Sequence, residues 1–181
     1  MITMRVFRRR RDRALTNYKR RIALIKGGVD RLVVRKTTRS VIVQVVRYEP
    51  DGDKIICSTD ARELKKYGWE TRCNIPTAYL SGLLTSKKLK EKELKMVFDI
   101  GIYKPMKNSV VFAAVKGCVD GGLKVASSIE FNEGRLSGKH ISDFMEKASK
   151  EKEKYKNQFS KYPSGSLEEK FKEVKERITK E

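Results

Sequence analysis

The sequence predicts an α/β protein in which a three-stranded antiparallel meander continues through a helix, a strand and a helix into one mixed sheet. Three observations support this prediction: a basic N-terminus, three short β-branched runs, and helical and strand-like apolar patterns that alternate after them. A chain of 181 residues suits one core with extensions. We therefore expect a basic N-terminal arm with a short helix at 1–28, an α/β domain at 29–126 and a C-terminal helical extension at 127–181.

The first forty residues hold most of the excess positive charge. They contain 14 of the 42 Lys and Arg residues but only 2 of the 23 acidic residues, in a chain of net charge +19. The run from Phe7 to Arg11 has too little apolar surface to fold alone, so we expect an arm that orders on a polyanion. Arginine favours RNA, because its planar guanidinium binds phosphates in pairs and stacks on bases. A solvated tail or a nuclear address is the alternative.

A short helix is predicted after the arm, with Thr16 or Asn17 as its N-cap and Gly27-Gly28 at its end. Apolar residues at three- and four-residue spacing predict one apolar stripe along this helix. They are Tyr18, Ile22 and Ile25. The cations of the helix are expected to point away from that stripe, and they include Lys19, Arg20 and Lys26.

Three short β-branched runs predict the antiparallel meander, because turn residues separate them. The runs are 31–35, 41–46 and 54–58. In the first strand Arg31 and Arg35 share one face, while Leu32 and Val34 share the other. We expect these arginines at the edge of the sheet, within reach of the arm. The alternative is that they only protect an edge strand from aggregation.

A helix, a strand and a second helix follow the meander. Pro76 opens the first helix, since proline suits a first turn. Its apolar face is formed by Tyr79, Leu80, Leu83 and Leu84. A buried strand at 96–100 and a helix at 109–119 come next, and Gly121-Gly122 ends that helix. The order β-β-β-α-β-α predicts that the strand between the helices pairs in parallel with a meander strand.

The C-terminal third predicts further helices, from Ser137 onward, with a break at 161–165. The first region has a sparse apolar side formed by Ile141, Phe144, Met145, Ala148, Tyr155 and Phe159. Ser166 and Glu169 match a capping box for a last helix. Its apolar face consists of Leu167, Phe171, Val174 and Ile178. We expect these helices to dock on the domain or on a neighbouring protein.

No catalytic or metal site is predicted. Cys57, Cys73 and Cys118 are widely spaced and only His140 is available to join them, so no zinc spacing is present. We expect these thiols to fill apolar space in a reducing compartment, which favours the cytoplasm. A lone histidine forms no recognisable Ser-His-Asp or Cys-His arrangement, and neither a cofactor nor a small-molecule substrate is expected.

Other sequence features argue against a nucleotide-binding protein, a metal-dependent nuclease and a membrane-associated protein. The segment 134–139 has three residues between its glycines, where a nucleotide-binding Walker loop has four. Metal-dependent nucleases of the ribonuclease H type share the sheet-first order, but the first strand here lacks their metal-binding aspartate. Asp99 and Asp120 are expected to be caps or core-edge groups. No apolar run approaches about 18 residues, so no membrane partner is expected.

Several segments resemble, in order, those of the archaeal and eukaryotic type of large-subunit ribosomal protein L-eighteen, whose eukaryotic counterpart is L-five. Together they cover nearly the whole chain, and the most specific are Tyr67-Gly-Trp69 and the helix that starts at Pro76. The segments are 8–11, 16–21, 31–35 with Gln44, 66–69, 74–82, 99–101, 111–113 and 138–141. Two departures are the Thr37-Thr38 turn, where the family usually carries Ser-Asn, and the loop 103–108, which lacks the expected glycine.

The resemblance implies a structural constituent of the large ribosomal subunit that binds 5S rRNA and anchors it to the central protuberance. Its other implied partners are 23S-type rRNA and neighbouring large-subunit proteins. The eukaryotic members are much longer at the C-terminus, so the length resembles that of archaeal members. A basic protein that compacts RNA or DNA without specificity is the first alternative, and a nuclease is the second.

The predicted RNA-binding residues are cations of the arm, the helix and the first strand, one aromatic residue, and two residues that start a later helix. They are Arg5, Arg8, Arg9, Arg10, Arg11, Arg13, Tyr18, Lys19, Arg20, Arg21, Lys26, Arg31, Arg35, Lys36, Arg39, Lys139 and His140. A helix N-terminus attracts phosphate, which is the reason for including the last two. For His140, a cap or packing role remains the alternative.

Overall fold

The computed structural model describes residues 9–89, 93–126, 129–150 and 167–180. Within these ranges the strands are β1 Asp30–Lys36, β2 Val41–Glu49, β3 Gly52–Asp60, β4 Lys95–Asp99 and β5 Lys124–Val125. The helices are α1 Arg9–Asp12, α2 Tyr18–Lys26, α3 Ile75–Lys88, α4 Val110–Asp120, α5 Glu133–Ser137, α6 Lys139–Lys150 and α7 Leu167–Lys180, with a 3₁₀ helix at Ala61–Tyr67.

The strands form one mixed sheet in the order β3-β2-β1-β4-β5. The antiparallel meander and the parallel pairing of β4 with β1 confirm the predicted fold class. The short strand β5, which pairs in parallel with β4, was not predicted. The expectation that β1 lies at the sheet edge is wrong, because β2 and β4 flank it. Leu32, Val33 and Val34 are all buried, and burial on both faces is typical of a central strand.

Helices α3 and α4 pack together beside the sheet, and α3 is buried on every side. The four predicted apolar residues of α3 are buried, but so are Ser81, Thr85 and Ser86. These hydroxyls donate hydrogen bonds to carbonyl oxygens of their own helix at 2.6–2.8 Å, so their burial leaves no polar group unpaired. The prediction of a single apolar face was therefore too narrow, because helices and sheet surround α3.

Two glycines allow the backbones of α3 and α4 to touch. A Cβ atom on Gly82 would lie 2.0 Å from the carbonyl oxygen of Ala114, and one on Gly117 would lie 2.1 Å from that of Tyr79. The cap of α3 agrees with the predicted start, since Asn74 Oδ1 accepts a hydrogen bond from the Thr77 amide at 3.0 Å. This close pair of helices forms the rigid layer behind the sheet.

The last helix, α7, completes the core as the sequence predicted. Its four predicted apolar residues are all buried in the same cluster as the sheet and α3. The Phe171 ring meets Trp69 edge-on at 6.2 Å and Tyr79 at 5.6 Å between centroids. The predicted cap at Ser166 and the apolar residues Tyr155 and Phe159 lie outside the described residues.

None of the described helices has both the length and the apolar character needed to cross a lipid bilayer.

Candidate nucleic-acid interface

Polar contacts rather than apolar packing hold α2 on the domain. No residue of α2 is buried, and Ile22 is 52% exposed, so the predicted apolar stripe is not buried against the domain. Arg20 Nη1 instead donates to the Gly101 carbonyl at 2.9 Å, and Arg21 Nη2 donates to Asp53 Oδ2 at 2.7 Å. Asn17 caps the helix as expected, accepting from the Arg20 amide at 3.1 Å. Two predicted RNA-binding arginines thus also attach α2 to the domain.

A chain of ion pairs continues from Arg21 into the sheet. Arg31 Nη2 lies 2.8 Å from Asp53 Oδ1, and Arg31 Nη1 lies 3.2 Å from Asp99 Oδ2. Arg35 Nη2 lies 3.4 Å from Asp99 Oδ1. We call Arg21, Asp53, Arg31, Asp99 and Arg35 the arginine network. It has three cations but two carboxylates, so it keeps an excess of positive charge.

The network accounts for the position of Arg31, which is only 2% exposed. Its guanidinium is covered and cannot meet an RNA phosphate in this conformation, so the expectation of a direct contact is corrected to a structural role. Burial opposes ionisation of Asp53, but hydrogen bonds from Arg31 and Arg21 outweigh it and hold the pKa of this carboxyl below its usual value. Asp99 is a core-edge group, as predicted from sequence.

A cleft of about 650 Å³, which we call the α2 cleft, opens between α2, β1 and the loop after β4. It unites predicted residues from three distant parts of the chain, namely Arg10, Tyr18, Arg20, Arg21 and Arg35. Tyr103, which the sequence analysis did not select, also lines it, and its hydroxyl donates to the Lys36 carbonyl at 3.0 Å. The only signal for Tyr103 was its place in an irregular loop beside Lys104.

Gly101 shapes the α2 cleft through the conformation of its backbone. Its φ of +63° favours glycine, and a Cβ atom there would lie 2.8 Å from Arg35 Cζ. The guanidinium of Arg35 therefore packs directly on Gly101, and the Arg35 side chain points toward the end of β4.

A second cleft, of about 1210 Å³, lies between the β1–β2 turn, the 3₁₀ helix, the segment 70–74 and α6. We call it the α6 cleft. It unites the predicted residues Arg39 and His140 with three cations that sequence reasoning missed, Arg62, Lys65 and Arg72. These three were missed because acidic residues interrupt the local charge. Asp60 and Glu63 alternate with Arg62 and Lys65, and Glu70 precedes Arg72.

The titratable groups of the α6 cleft have clear electrostatic causes. Hydrogen bonds from Arg62 lower the pKa of Asp60 to about 2. Burial lowers the pKa of His140, and the nearby Arg135 adds to this effect against the opposing Asp143. His140 is therefore neutral near pH 7. Lys139 is exposed at the first residue of α6, as the sequence analysis expected for a helix start.

The remaining predicted cations do not converge on one site. Arg5 and Arg8 lie outside the described residues, and Arg9 and Arg11 lie on α1, a single helical turn where no regular structure was predicted. Such a turn needs only local backbone hydrogen bonds, from the Arg13 amide to the Arg9 carbonyl for example. The exposed members elsewhere are Arg13, Lys19, Lys26 and Lys36.

The part of the chain that the structure describes bears on two kinds of reactive site, a metal centre and an activated thiol. No three His, Cys, Asp or Glu side chains are grouped there to hold a metal ion. All three cysteines are free, and burial raises the pKa of each thiol, which disfavours the reactive thiolate. Residues Glu133–Ser137 form α5, so the glycine-flanked segment adopts a helix rather than a phosphate loop.

A comparison with known protein families relates the chain to one of them. The family model described as ribosomal large subunit proteins 60S L5 and 50S L18 matches residues 3–96. The match covers more than half of the 181 residues and extends from the arm into β4.

Proposed function

The chain belongs to the family of ribosomal large-subunit proteins 60S L5 and 50S L18, and we propose that it binds 5S rRNA and anchors it to the central protuberance. The observation that supports this most is the α2 cleft, where Arg10, Arg20, Arg21 and Arg35 converge. A site with several arginines attracts phosphate, because each guanidinium offers a planar pair of donors. The proposed role is structural and involves no chemical reaction on the RNA.

The arginine network prepares the α2 cleft for an RNA phosphate. Its three arginines share only Asp53 and Asp99, so an incoming phosphate supplies the missing negative charge. The guanidiniums of Arg21 and Arg35 are already oriented by these carboxylates. Binding then costs less side-chain entropy than it would with freely rotating arginines.

The arm extends this surface in the proposed complex. Its arginines, with the exposed lysines of α2, neutralise phosphates around the cleft, while Tyr18 and Tyr103 on the cleft wall contact unpaired bases. The proposed contacts along the arm include Arg5, Arg8, Arg9, Arg11 and Arg13. We further propose 23S-type rRNA and adjacent large-subunit proteins as partners, in a cytoplasmic ribosome of archaeal type.

A competition experiment tests this proposal. The full chain is titrated with labelled 5S rRNA in filter binding, with unlabelled tRNA and duplex DNA as competitors. We expect 5S rRNA to compete far better than either polyanion. Equal competition by all three nucleic acids would instead identify a protein that compacts nucleic acid without specificity, and cleavage of the RNA in Mg²⁺ would identify a nuclease.

A further inference from the structure

The α6 cleft is a second basic surface, separate from the α2 cleft. No residue lines both clefts, and the element that they share is β3, which contributes Asp53 to the α2 cleft and Asp60, at its other end, to the α6 cleft. Its volume of about 1210 Å³ exceeds the roughly 300–1,000 Å³ of pockets that enclose a small molecule. The cleft therefore has room for a short length of polymer.

The charges of the cleft favour a polyanion. Arg39 and Lys65 are exposed on its walls, and neither is paired with a carboxylate among the residues that the structure describes. Arg62, by contrast, is already held by Asp60 at 2.7 Å. Arg39 and Lys65 are thus the cations best placed to meet two phosphates of one strand.

An aromatic side chain lines the same cleft as these cations. Phe144 on α6 is 41% exposed, and it lines the cleft together with Ile42 and Ile141. Cations that follow a backbone beside an exposed aromatic ring are typical of surfaces that bind single-stranded nucleic acid. Double-helical RNA cannot use such a ring, because its bases are already stacked on one another.

We propose that the α6 cleft binds an unpaired segment of RNA, with one base stacked on Phe144 and neighbouring phosphates on Arg39 and Lys65. This inference rests on the proposed function, since the RNA is the one that the arm and the α2 cleft bind. An acidic segment of a neighbouring protein is the competing occupant. It would use the cations but would gain nothing specific from an aromatic ring at position 144.

Variants of Phe144 separate base stacking from packing. Phe144→Leu keeps an apolar side chain of similar size but removes the ring, whereas Phe144→Trp keeps a ring. In filter binding with 5S rRNA we expect Phe144→Leu to weaken binding about 5- to 150-fold, the range for loss of one base–aromatic stack, and Phe144→Trp to bind like the unchanged protein. Tyr48→Leu is the control, because Tyr48 is 50% exposed and lines neither cleft.

The charge of the cleft is tested through the salt dependence of binding. We expect Arg39→Gln to reduce the slope of log K against log salt concentration by about 0.7, the value for one single-strand phosphate. Lys180→Gln, on an 81% exposed side chain of α7, should leave the slope unchanged. Ultraviolet cross-linking of 4-thiouridine-substituted 5S rRNA should attach RNA to peptides of α6.

These outcomes distinguish the two proposals. If Phe144→Leu binds 5S rRNA like the unchanged protein and cross-links avoid α6, the unpaired-segment inference is overturned while the proposed function stands. That result would favour an acidic protein segment in the cleft. If the unchanged chain has no preference for 5S rRNA, the proposed function fails and this inference fails with it.

Discussion

Individual arginines have different roles that their charge alone does not reveal. Arg31 is buried between Asp53 and Asp99, whereas Arg39 is exposed on the wall of the α6 cleft. The sequence placed both in the same group of RNA-binding candidates. It could not separate them, because the burial of Arg31 depends on β4 lying beside β1 and on Asp53 reaching it from β3.

The buried position of Arg31 leads to a prediction on stability. Arg31→Met keeps much of the apolar volume but removes the nearer of the two arginines that pair with Asp99, whose side chain is 8% exposed, and leaves Arg35 at 3.4 Å. We expect a loss of about 3 kcal/mol in the free energy of unfolding, because one partner of a buried ion pair is removed and the buried carboxylates are less well compensated. Urea unfolding measures this loss. Arg39→Met, at an exposed arginine that pairs with no carboxylate among the described residues, is the control and should change little, so similar losses in both variants would contradict the prediction.

Asp60 gives a prediction on the pH dependence of stability. Its pKa is about 2 in the folded protein against an ordinary value of 3.8, so the folded state favours the ionised form. The resulting stabilisation is complete above about pH 4 and disappears as the pH falls to about 2. In Asp60→Asn, which keeps an oxygen to accept from the Arg62 amide, stability should therefore fall less between these pH values. Parallel stability curves for the two proteins, measured by urea unfolding, would rule this out.

The positions of most helices and strands agree with the local sequence patterns. Much of the way in which these elements pack together was not predicted from those patterns. The predicted range of α4, the predicted apolar face of α7 and the antiparallel meander agree with the structure, because turn residues and apolar periodicity act locally. The full burial of α3 was missed, since it depends on α4 and α7 arriving from distant parts of the chain. The polar attachment of α2 was missed for the same reason, because its partners lie in β3 and after β4.

Because α3 and α4 are in close contact, one added methyl group at Gly82 is expected to lower the stability of the protein substantially. In Gly82→Ala the added atom would lie 2.0 Å from the Ala114 carbonyl oxygen, so the helices must separate. We expect a loss of about 1–3 kcal/mol despite the better helix propensity of alanine. Gly134→Ala in α5 is a matched control, because the neighbour nearest to its added Cβ atom would be the side-chain oxygen Oδ1 of Asn132 at 3.3 Å. Chemical unfolding should place the first variant well below the second, and equal stabilities would contradict the close contact.

For the molecule as a whole, the residues that carry most of the excess positive charge differ from the residues that form the core. The core consists mainly of residues from the sheet, α3, α4 and α7, and no buried core residue belongs to α2 or to the described part of the arm. The excess of basic residues, by contrast, lies toward the N-terminus. Loss of the arm should therefore affect partner binding more than folding.

Deletion of residues 1–13 tests this separation. We expect the truncated protein to keep its circular dichroism spectrum and unfolding midpoint while losing most of its affinity for 5S rRNA. If the arm and sheet neutralise about 6–10 phosphates, the affinity of the full chain should fall about 10³- to 10⁵-fold between 50 and 200 mM salt. The truncated protein should have a shallower salt dependence. Unchanged affinity after truncation would refute the role of the arm.

The β-β-β-α-β-α order of the central elements, the α/β class and the expectation of a polyanionic partner could all be read from the chain alone. Capping and periodicity depend on neighbouring residues, and net charge is a sum that ignores position in space. The central place of β1, the burial of Arg31 and the assembly of both clefts required the folded molecule. Whether a side chain is exposed, and which side chains meet in a cleft, depends on which distant segments pack together. Here β4 packs beside β1, and α6 lines a cleft with the 3₁₀ helix, in both cases from more than sixty residues along the chain.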